Sequence, residues 1–214
     1  FIGTRQPAIW MGDYGQVSIA PRVGAVDVDF KTRGLPFSHA NEVAKPWLYR
    51  VTAGTSEQGA VTTEMTGAER SVFFRIAFPK GQASHVVIDA SRDYAAGASD
   101  LRPADGWIKI GEDGRTVEGW NKDRLDAQHA YELPNFKGYF VIVFSRPFAS
   151  FGTYAGDGKP SVKGGYQTVA PQAGARTAQA DRVGGYACFD ASDEPLLVRV
   201  GTSFISLEQA RENL

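Results

Sequence analysis

A glycine-bounded segment near the start of the chain concentrates side chains that could bind a polyhydroxylated ligand. Residues 3–15 read Gly-Thr-Arg-Gln-Pro-Ala-Ile-Trp-Met-Gly-Asp-Tyr-Gly and show no strand-like alternation, which is typical of a loop. Sugars bind with their C–H faces on aromatic rings and their hydroxyls on planar polar groups, and Trp10 beside Arg5 and Asp13 supplies both contacts. The same pattern fits core packing by Trp10 and Tyr14 and a turn capped by Asp13. The residues alone therefore leave both interpretations open.

The rest of the chain offers no self-contained catalytic or metal-binding motif. It lacks the nucleophile-elbow, zinc-protease and phosphate-loop signatures, and its three histidines lie far apart in sequence: His39, His85 and His129. We interpret His85 as a hydrogen-bonded structural histidine and expect His129 to face solvent. Two acidic turns, residues 89–93 and 190–194, could offer oxygen ligands to calcium. Neither has the glycine and distal glutamate of an EF-hand loop, and we interpret both as ordinary turns.

Charge and cysteine content exclude several classes of partner and linkage. The 214 residues carry a formal net charge of -1, so neither a nucleic acid nor an acidic membrane surface is expected to bind. The sequence has no run of about 18–20 apolar residues, and no membrane span is predicted. The single cysteine, Cys188, rules out an internal disulfide, and we interpret it as a small buried residue in a strand.

Strand-like runs dominate the sequence and would have to position these groups. Aromatic residues make up 12% of the chain and glycine occurs 24 times, a mixture that favours strands and turns over helices. Nine runs alternate or are rich in β-branched residues: 16–19, 48–52, 60–66, 71–78, 85–90, 107–110, 116–120, 139–144 and 196–200. The turn residues at 111–115 indicate a hairpin. The fold class predicted is all-β, a large antiparallel β-sandwich.

Two stretches depart from this pattern. Residues 152–182 are rich in Gly, Ala, Gln and Lys, and we interpret them as a long surface loop or a weakly packed edge hairpin. Residues 206–214 look like the first turns of a helix, with Ser206 as N-cap and Gln209 at the spacing of a capping box. We therefore divide the chain into a sandwich domain, residues 1–205, and the start of a linker helix. The loop-like beginning and helical end lead us to expect further polypeptide on both sides.

Several blocks, taken in order, resemble glycoside hydrolase family 92. They are Gly-Asp-x-Gly with a strand and Pro in 12–21, Phe-Ser-His…Glu…Pro…Tyr in 37–49, Glu-x-Thr…Arg in 64–70, Phe-Pro…Ile-Asp in 78–89, and the junction in 198–214. Residues 47–49 read Trp-Leu-Tyr where the family often has Gly-Tyr-Tyr. The opening Arg-Gln-Pro-x-x-Trp resembles one subset of the family. These departures put the preferred linkage in doubt more than the family.

The resemblance implies a fold, an activity and partners. It implies a galactose mutarotase-like supersandwich packed against an (α/α)6 catalytic barrel that lies outside this chain. The parent would be an exo-acting, calcium-dependent α-mannosidase that inverts configuration at terminal α-mannosides, for example α-1,2 linkages. Both catalytic carboxylates and most calcium ligands would come from the barrel, so this chain alone is expected to be inactive. A mannose-containing glycan such as an N-glycan would be the substrate, and a secreted, periplasmic or cell-surface location is implied.

The resemblance also assigns roles to residues of the loop. It implies that Trp10 is the sugar platform, that Arg5 and Asp13 contact hydroxyls or shape the site, and that Gln6 is a weaker candidate. None of these four would act as acid or base, and no metal ligand is assigned within the chain. The alternatives are a freestanding carbohydrate-binding module, which would bind mannose by itself, and a structural sandwich without a ligand.

Four further residues belong to blocks of the family pattern. They are His39, Glu42, Glu64 and Arg70. A glutamate and an arginine on neighbouring strands usually pair with each other or satisfy backbone groups, so Glu64 and Arg70 are expected to be structural. His39 and Glu42 are expected to shape a loop.

Overall fold

The computed structural model of the chain describes residues 17–29, 32–57, 59–91, 105–122, 135–156 and 170–214. Within these ranges the chain forms fourteen strands and one short helix. The elements, in chain order, are β1 (Ser18–Val23), β2 (Phe37–Lys45), β3 (Leu48–Ala53), β4 (Val61–Gly67), β5 (Ser71–Ala77), β6 (Ser84–Ser91), β7 (Gly106–Ile110), β8 (Thr116–Asn121), β9 (Gly138–Phe144), β10 (Ser150–Gly156), β11 (Gln172–Ala173), β12 (Thr177–Ala180), β13 (Arg182–Phe189), β14 (Leu196–Ser203) and α1 (Leu207–Glu212).

The strands form two antiparallel sheets of unequal size. The small sheet has the order β1-β6-β13-β10-β11, and the large sheet has the order β12-β7-β8-β9-β14-β5-β4-β3-β2. The inner faces of the two sheets enclose the main core, in which Ile88 on β6 and Ile142 on β9 are completely buried. The prediction of a large antiparallel sandwich is confirmed.

Strand β6 is buried on both of its faces, as the apolar run at 85–90 predicts. Val86 and Ile88 point into the main core, so by alternation His85, Val87 and Asp89 lie on the outer face of the small sheet. Val87 belongs there to a second apolar cluster, formed with Val28, Tyr154 and Tyr186. This covered outer face is where the chain places charged groups out of contact with water.

The predicted hairpin at residues 107–120 is confirmed as β7 and β8. Trp107 pairs with Trp120 across it. The turn works because Gly114 adopts a φ of 63°, which glycine tolerates, and because the Asp113 carboxylate accepts the backbone N–H of Arg115 at 3.0 Å. Local turn chemistry therefore sets this part of the large sheet.

Strand β1 runs further than predicted and passes through Pro21, which lies opposite Val86. Proline fits here because β1 is an edge strand of the small sheet and its outer edge needs no ladder donor. Strand β2 was not predicted as a strand, since Phe37–Lys45 does not alternate and a register shift interrupts its pairing with β3.

For residues 152–182 the sequence predicts a long surface loop or a weakly packed edge hairpin, and the described part of that stretch forms strands, two of them at sheet edges, rather than a loop. Strand β10 extends to Gly156, and β11 and β12 pair at the edges of the two sheets. The residues are small, but backbone pairing requires no large side chain. The neighbouring strand β13 contains Gly184, where an added Cβ would come within 2.2 Å of the Tyr154 hydroxyl oxygen. Cys188 lies in β13 as predicted, although it is half-buried rather than buried.

The C-terminal helix begins as predicted. Ser206 is its N-cap and accepts the backbone N–H of Gln209 at 3.1 Å. The Gln209 side chain binds Asn213 at 3.3 Å instead of returning to the cap, so only half of a capping box forms. Helix α1 packs on the outer face of the large sheet, where Arg211 binds Glu118 and a Cβ on Gly201 would meet the carbonyl of Ala210 at 2.1 Å.

Candidate functional site

The four residues predicted to contact a sugar lie outside the described residues. They are Arg5, Gln6, Trp10 and Asp13, and their roles stay predictions. His129, expected to face solvent, also falls outside. The described residues begin at Val17, and β1 begins at Ser18. A buried polar network lies at this end of β1.

A buried carboxylate, Asp89, lies opposite Ser18 on the outer face of the small sheet. Its Oδ2 atom accepts the Ser18 hydroxyl at 2.5 Å and the Arg33 Nη2 atom at 2.5 Å. Its Oδ1 atom accepts the Tyr154 hydroxyl at 2.6 Å. Side-chain exposure is only 6% for Asp89 and 8% for Arg33, so the ion pair is removed from water. We call these four residues the Asp89 network.

Burial in this network changes the acidity of its members. Burial, reinforced by the charge of Asp89, raises the pKa of Tyr154 well above its ordinary value, so the phenol stays protonated and donates. Burial opposes the charge on Arg33, but Asp89 and Tyr154 outweigh it and the pKa of the guanidinium is raised. Arg33 also donates to the Val28 carbonyl at 3.1 Å. The network therefore fastens the segment before β2 and strand β10 onto β6, and it holds β1 by Ser18.

A second buried group lies four residues before Asp89 on the same face. His85 is opposite Arg22 of β1 and Cys188 of β13. It is 2% exposed, and burial together with the charge of Arg22 lowers its pKa to about 4, so the imidazole is neutral at pH 7. Its Nε2 atom has no hydrogen-bond partner. The prediction of a buried histidine is right, but the prediction that it is fully hydrogen-bonded is wrong.

The exposed counterpart is a glutamate on β2. Glu42 accepts the Tyr49 hydroxyl at 2.6 Å and lies 2.5 Å from the His39 Nδ1 atom. The hydrogen bonds from Tyr49 and His39 lower the pKa of Glu42, and the bond to Glu42 raises the pKa of Tyr49 to about 12. The His39 side chain is 87% exposed. His39 and Glu42 therefore lie on a strand rather than in the loop that the sequence predicts.

The remaining family-pattern residues make structural contacts. Glu64 binds Arg75 at 2.8 Å and lies 4.0 Å from Arg50, on the solvent side of the large sheet. Arg70 contributes its backbone carbonyl to Thr202 on β14 at 3.2 Å. The structural interpretation of Glu64 and Arg70 is supported, although in the described contacts Glu64 pairs with other arginines.

The described residues do not fit a calcium ion. No group of three or more histidine, cysteine, aspartate or glutamate side chains among them is arranged to hold a metal. Asp89, which begins one of the two acidic turns, is directed at the guanidinium of Arg33, and its oxygens are taken by donors. Asp193, in the other turn, faces Lys80 at 3.8 Å. In the same part of the chain, no helix is long and apolar enough to cross a membrane.

The fold defines a class of protein: an all-β domain built as a sandwich of two antiparallel sheets. The family model described as the glycosyl hydrolase family 92 N-terminal domain matches residues 1–203. The chain therefore belongs to glycosyl hydrolase family 92, as its N-terminal domain. A comparison with curated proteins gives no match.

Solved structures of the same family share the fold. An inverting mannosidase of family GH92 from Bacteroides thetaiotaomicron VPI-5482 is 30% identical, with a TM-score of 0.77, over 100% of this chain and 25% of that one. A GH92 alpha-mannosidase from Bacteroides thetaiotaomicron is 18% identical, with a TM-score of 0.65, over 92% of this chain and 25% of that one. A structure of that alpha-mannosidase in complex with mannoimidazole is 20% identical, with a TM-score of 0.65, over 92% and 24%. The chain thus spans about a quarter of these relatives.

Proposed function

We propose that the chain is the accessory half of the substrate site of an α-mannosidase. The observation that carries the proposal is the 30% identity to an inverting GH92 mannosidase, which extends over 100% of this chain. The parent would remove terminal α-mannosyl residues, for example α-1,2-linked ones, from glycans such as N-glycans. We place it outside the cytoplasm, in secreted, periplasmic or cell-surface form.

The chemistry of an inverting glycosidase indicates which groups the two domains of the parent would have to supply. An inverting glycosidase needs one carboxylic acid to protonate the leaving oxygen and one carboxylate to activate water, about 6.5–9.5 Å apart. Two of the described carboxylates are held in ion pairs, Asp89 with Arg33 and Glu64 with Arg75. As the family resemblance implies, we assign acid, base and calcium ligands to the catalytic domain of the parent, and the isolated chain is expected to be inactive.

The contribution of this chain would be to bind and orient the sugar. In this proposal the Trp10 ring lies under the apolar C–H face of the mannose, where it also excludes water. Arg5 and Asp13 hydrogen-bond to hydroxyls, and Gln6 is a secondary contact. Desolvated polar groups of this kind discriminate among sugars because a substrate without the matching hydroxyl leaves them unpaired. The Asp89 network supports this role by fixing β1, the strand that follows the loop in sequence.

The test is the loss of catalytic efficiency when the Trp10 ring is removed from the parent enzyme. Trp10→Ala should lower kcat/KM for a mannoside by about tenfold, equivalent to about 1.4 kcal/mol of lost contact. Trp10→Phe keeps a ring and should recover part of the loss. Circular dichroism and the unfolding midpoint of both variants should match those of the wild-type protein. Wild-type kinetics in Trp10→Ala would contradict the assignment of the platform.

A further inference from the structure

The unequal sizes of the two sheets leave part of an inner face without a covering sheet. Strand β1 is the edge of the small sheet and packs against β4 of the large sheet. Strands β3 and β2 continue the large sheet beyond that point. Among the elements of the described structure, β2 packs on β3, and β3 packs on β2 and β4. The inner face of this pair of strands therefore extends past the small sheet.

The register shows which side chains lie on that extension. Glu42 lies opposite Val51, which lies opposite Thr63, and Thr63 is opposite the fully buried Ile76. Residues directly opposite each other share a face, so Glu42 lies on the face that elsewhere forms the core.

Strand register also places side chains at the two ends of the extension on this face. Tyr49 is opposite Met65, and Phe37 is opposite Ala53, which is opposite the core residue Val61. Tyr49 and Phe37 therefore lie on this face together with Glu42. We call Phe37, His39, Glu42 and Tyr49 the overhang.

The overhang is one connected group, in which Phe37 and His39 are exposed and Glu42 and Tyr49 are half-buried. The rings of Phe37 and His39 meet edge to face with centroids 5.4 Å apart, His39 binds Glu42, and Glu42 binds Tyr49. Phe37 is 55% exposed although it lies on the apolar face. Exposed ion pairs contribute little to folding stability because water screens them and ordering the side chains costs entropy. Stability of this domain alone does not account for an ordered, partly exposed group of this kind.

The strand that carries the overhang is also an open sheet edge. Strand β2 ends the large sheet, and its nine residues are all exposed or half-buried. Natural proteins protect such edges with proline, lysine or a covering element. Strand β2 contains no proline, and its one lysine, Lys45, is at its last position. The register shift between Phe37 and Glu42 and the Glu42 carboxylate on the apolar face also guard the edge against pairing with a strand of another molecule, but they leave it open to a covering domain.

We propose that the overhang is the docking surface for the catalytic domain of the same polypeptide. The family implies such a domain, and the chain covers only 25% of the length of its GH92 relatives, so the larger part of the protein is available to cover this face. The proposal rests on family membership and does not depend on which residues bind mannose. It adds to the proposed function the location of the contact between the two domains.

The contacts also specify what the partner surface presents. The Glu42 oxygens accept from His39 and Tyr49, so Nδ1 of His39 donates to Glu42 and Nε2 points away from it. The docked domain should place a hydrogen-bonding group on Nε2 and an apolar side chain on the ring of Phe37. Buried aromatic anchors beside satisfied polar contacts are the usual centre of such interfaces.

Chemical labelling of the full-length parent with diethylpyrocarbonate tests the proposal, because the reagent modifies accessible histidine and lysine. His39 is 87% exposed on its side chain in the domain, Lys80 is 83% exposed, and His85 is 2% exposed as a residue. We expect Lys80 to be modified and His39 to be as unreactive as His85. Labelling of His39 at the rate of an exposed histidine would overturn the proposal. If His39 becomes reactive when the parent is diluted, a second copy of the chain covers it and the proposal is wrong. If His39 is protected only when mannose is added, the surface is a sugar site and the proposal is likewise wrong.

A matched pair of variants in the parent gives an independent readout. His39→Asp places a carboxylate beside Glu42 inside the proposed interface, whereas Lys80→Asp changes an exposed side chain on the turn after β5. We expect His39→Asp to lower the unfolding midpoint of the parent and to increase hydrogen exchange of the β2 amides, and Lys80→Asp to change neither. Equal effects of the two variants would contradict docking at the overhang. Mannoside kinetics are not used as a readout, so failure here is distinct from failure of the mannose-site assignment.

Discussion

The Asp89 network and the overhang use the same chemistry in opposite surroundings. In each, one carboxylate accepts hydrogen bonds from a tyrosine hydroxyl and from a side-chain nitrogen, which belongs to Arg33 in the first and to His39 in the second. The distances are 2.5–2.6 Å. The Asp89 and Arg33 side chains are 6–8% exposed, whereas in the overhang the His39 side chain is 87% exposed and that of Glu42 is 21% exposed. A buried ion pair is costly to break because the remaining charge has no water, while an exposed pair is replaced by solvent. The first is therefore a structural clamp, and the second is free to serve an interface.

The largest expected effect is loss of the buried carboxylate. Asp89→Asn leaves the Arg33 guanidinium buried without its counter-charge and should lower the free energy of unfolding by about 3–5 kcal/mol. Glu42→Gln, the same change in the overhang, should leave the unfolding midpoint unchanged. Urea denaturation of both variants followed by fluorescence measures the difference. Equal losses in the two variants would mean that burial does not separate the two carboxylates.

The second effect is a pH dependence that comes from His85. Its folded pKa, about 4, lies below the ordinary histidine value of 6.5, so the unfolded chain binds the proton more readily than the folded one. This contribution to stability is fully present above pH 6.5 and is lost as the pH falls towards 4. The fall in the pKa of His85 from 6.5 to about 4 corresponds to about 3 kcal/mol of unfolding free energy.

Replacing the imidazole isolates that contribution. His85→Leu should flatten the dependence of unfolding free energy on pH between 6.5 and 4. Unfolding curves of the wild-type protein and of the variant at a series of pH values measure both slopes. An unchanged slope in His85→Leu would show that the histidine titrates with its ordinary pKa.

The smallest effect is confined to the overhang itself. The hydrogen bond to Glu42 raises the pKa of Tyr49 to about 12, so Glu42→Ala should return it towards the ordinary value of 10. Tyrosinate absorbance during alkaline titration, with Tyr49→Phe as the reference that removes this phenol, measures the shift. A titration curve identical to that of the wild-type protein would show that Glu42 and Tyr49 are not bonded in solution.

The sequence predicts those parts of the fold whose signals are local. The buried strand β6 follows from its apolar run, and the β7–β8 hairpin follows from the turn that contains Asp113 and Gly114. Only the part of β13 around Cys188 is predicted as a strand, because its first half contains Gly184, which has low strand propensity. Glycine is needed there because the Tyr154 ring occupies the space above it, a contact that joins distant parts of the chain.

The Asp89 network was missed for the same reason. Its ion pair spans 56 positions and its tyrosine bond spans 65, so no motif spacing reveals either partner. The sequence contains one weaker indication. Asp89 lies near the end of an apolar strand that is buried on both faces, and a buried carboxylate requires hydrogen-bond donors. The sugar-contact residues came from the family pattern, and they stay predictions because they lie outside the described residues.

Release of mannose from a panel of α-mannosides tests the central claim most directly. It is measured for the 214-residue chain and for the full-length parent, each with calcium and with a chelator. The account predicts mannose release only by the calcium-loaded parent, because acid, base and calcium ligands are assigned to the catalytic domain. Release of mannose by the 214-residue chain alone would contradict it, since a catalytic carboxylate pair would then have to lie within these residues.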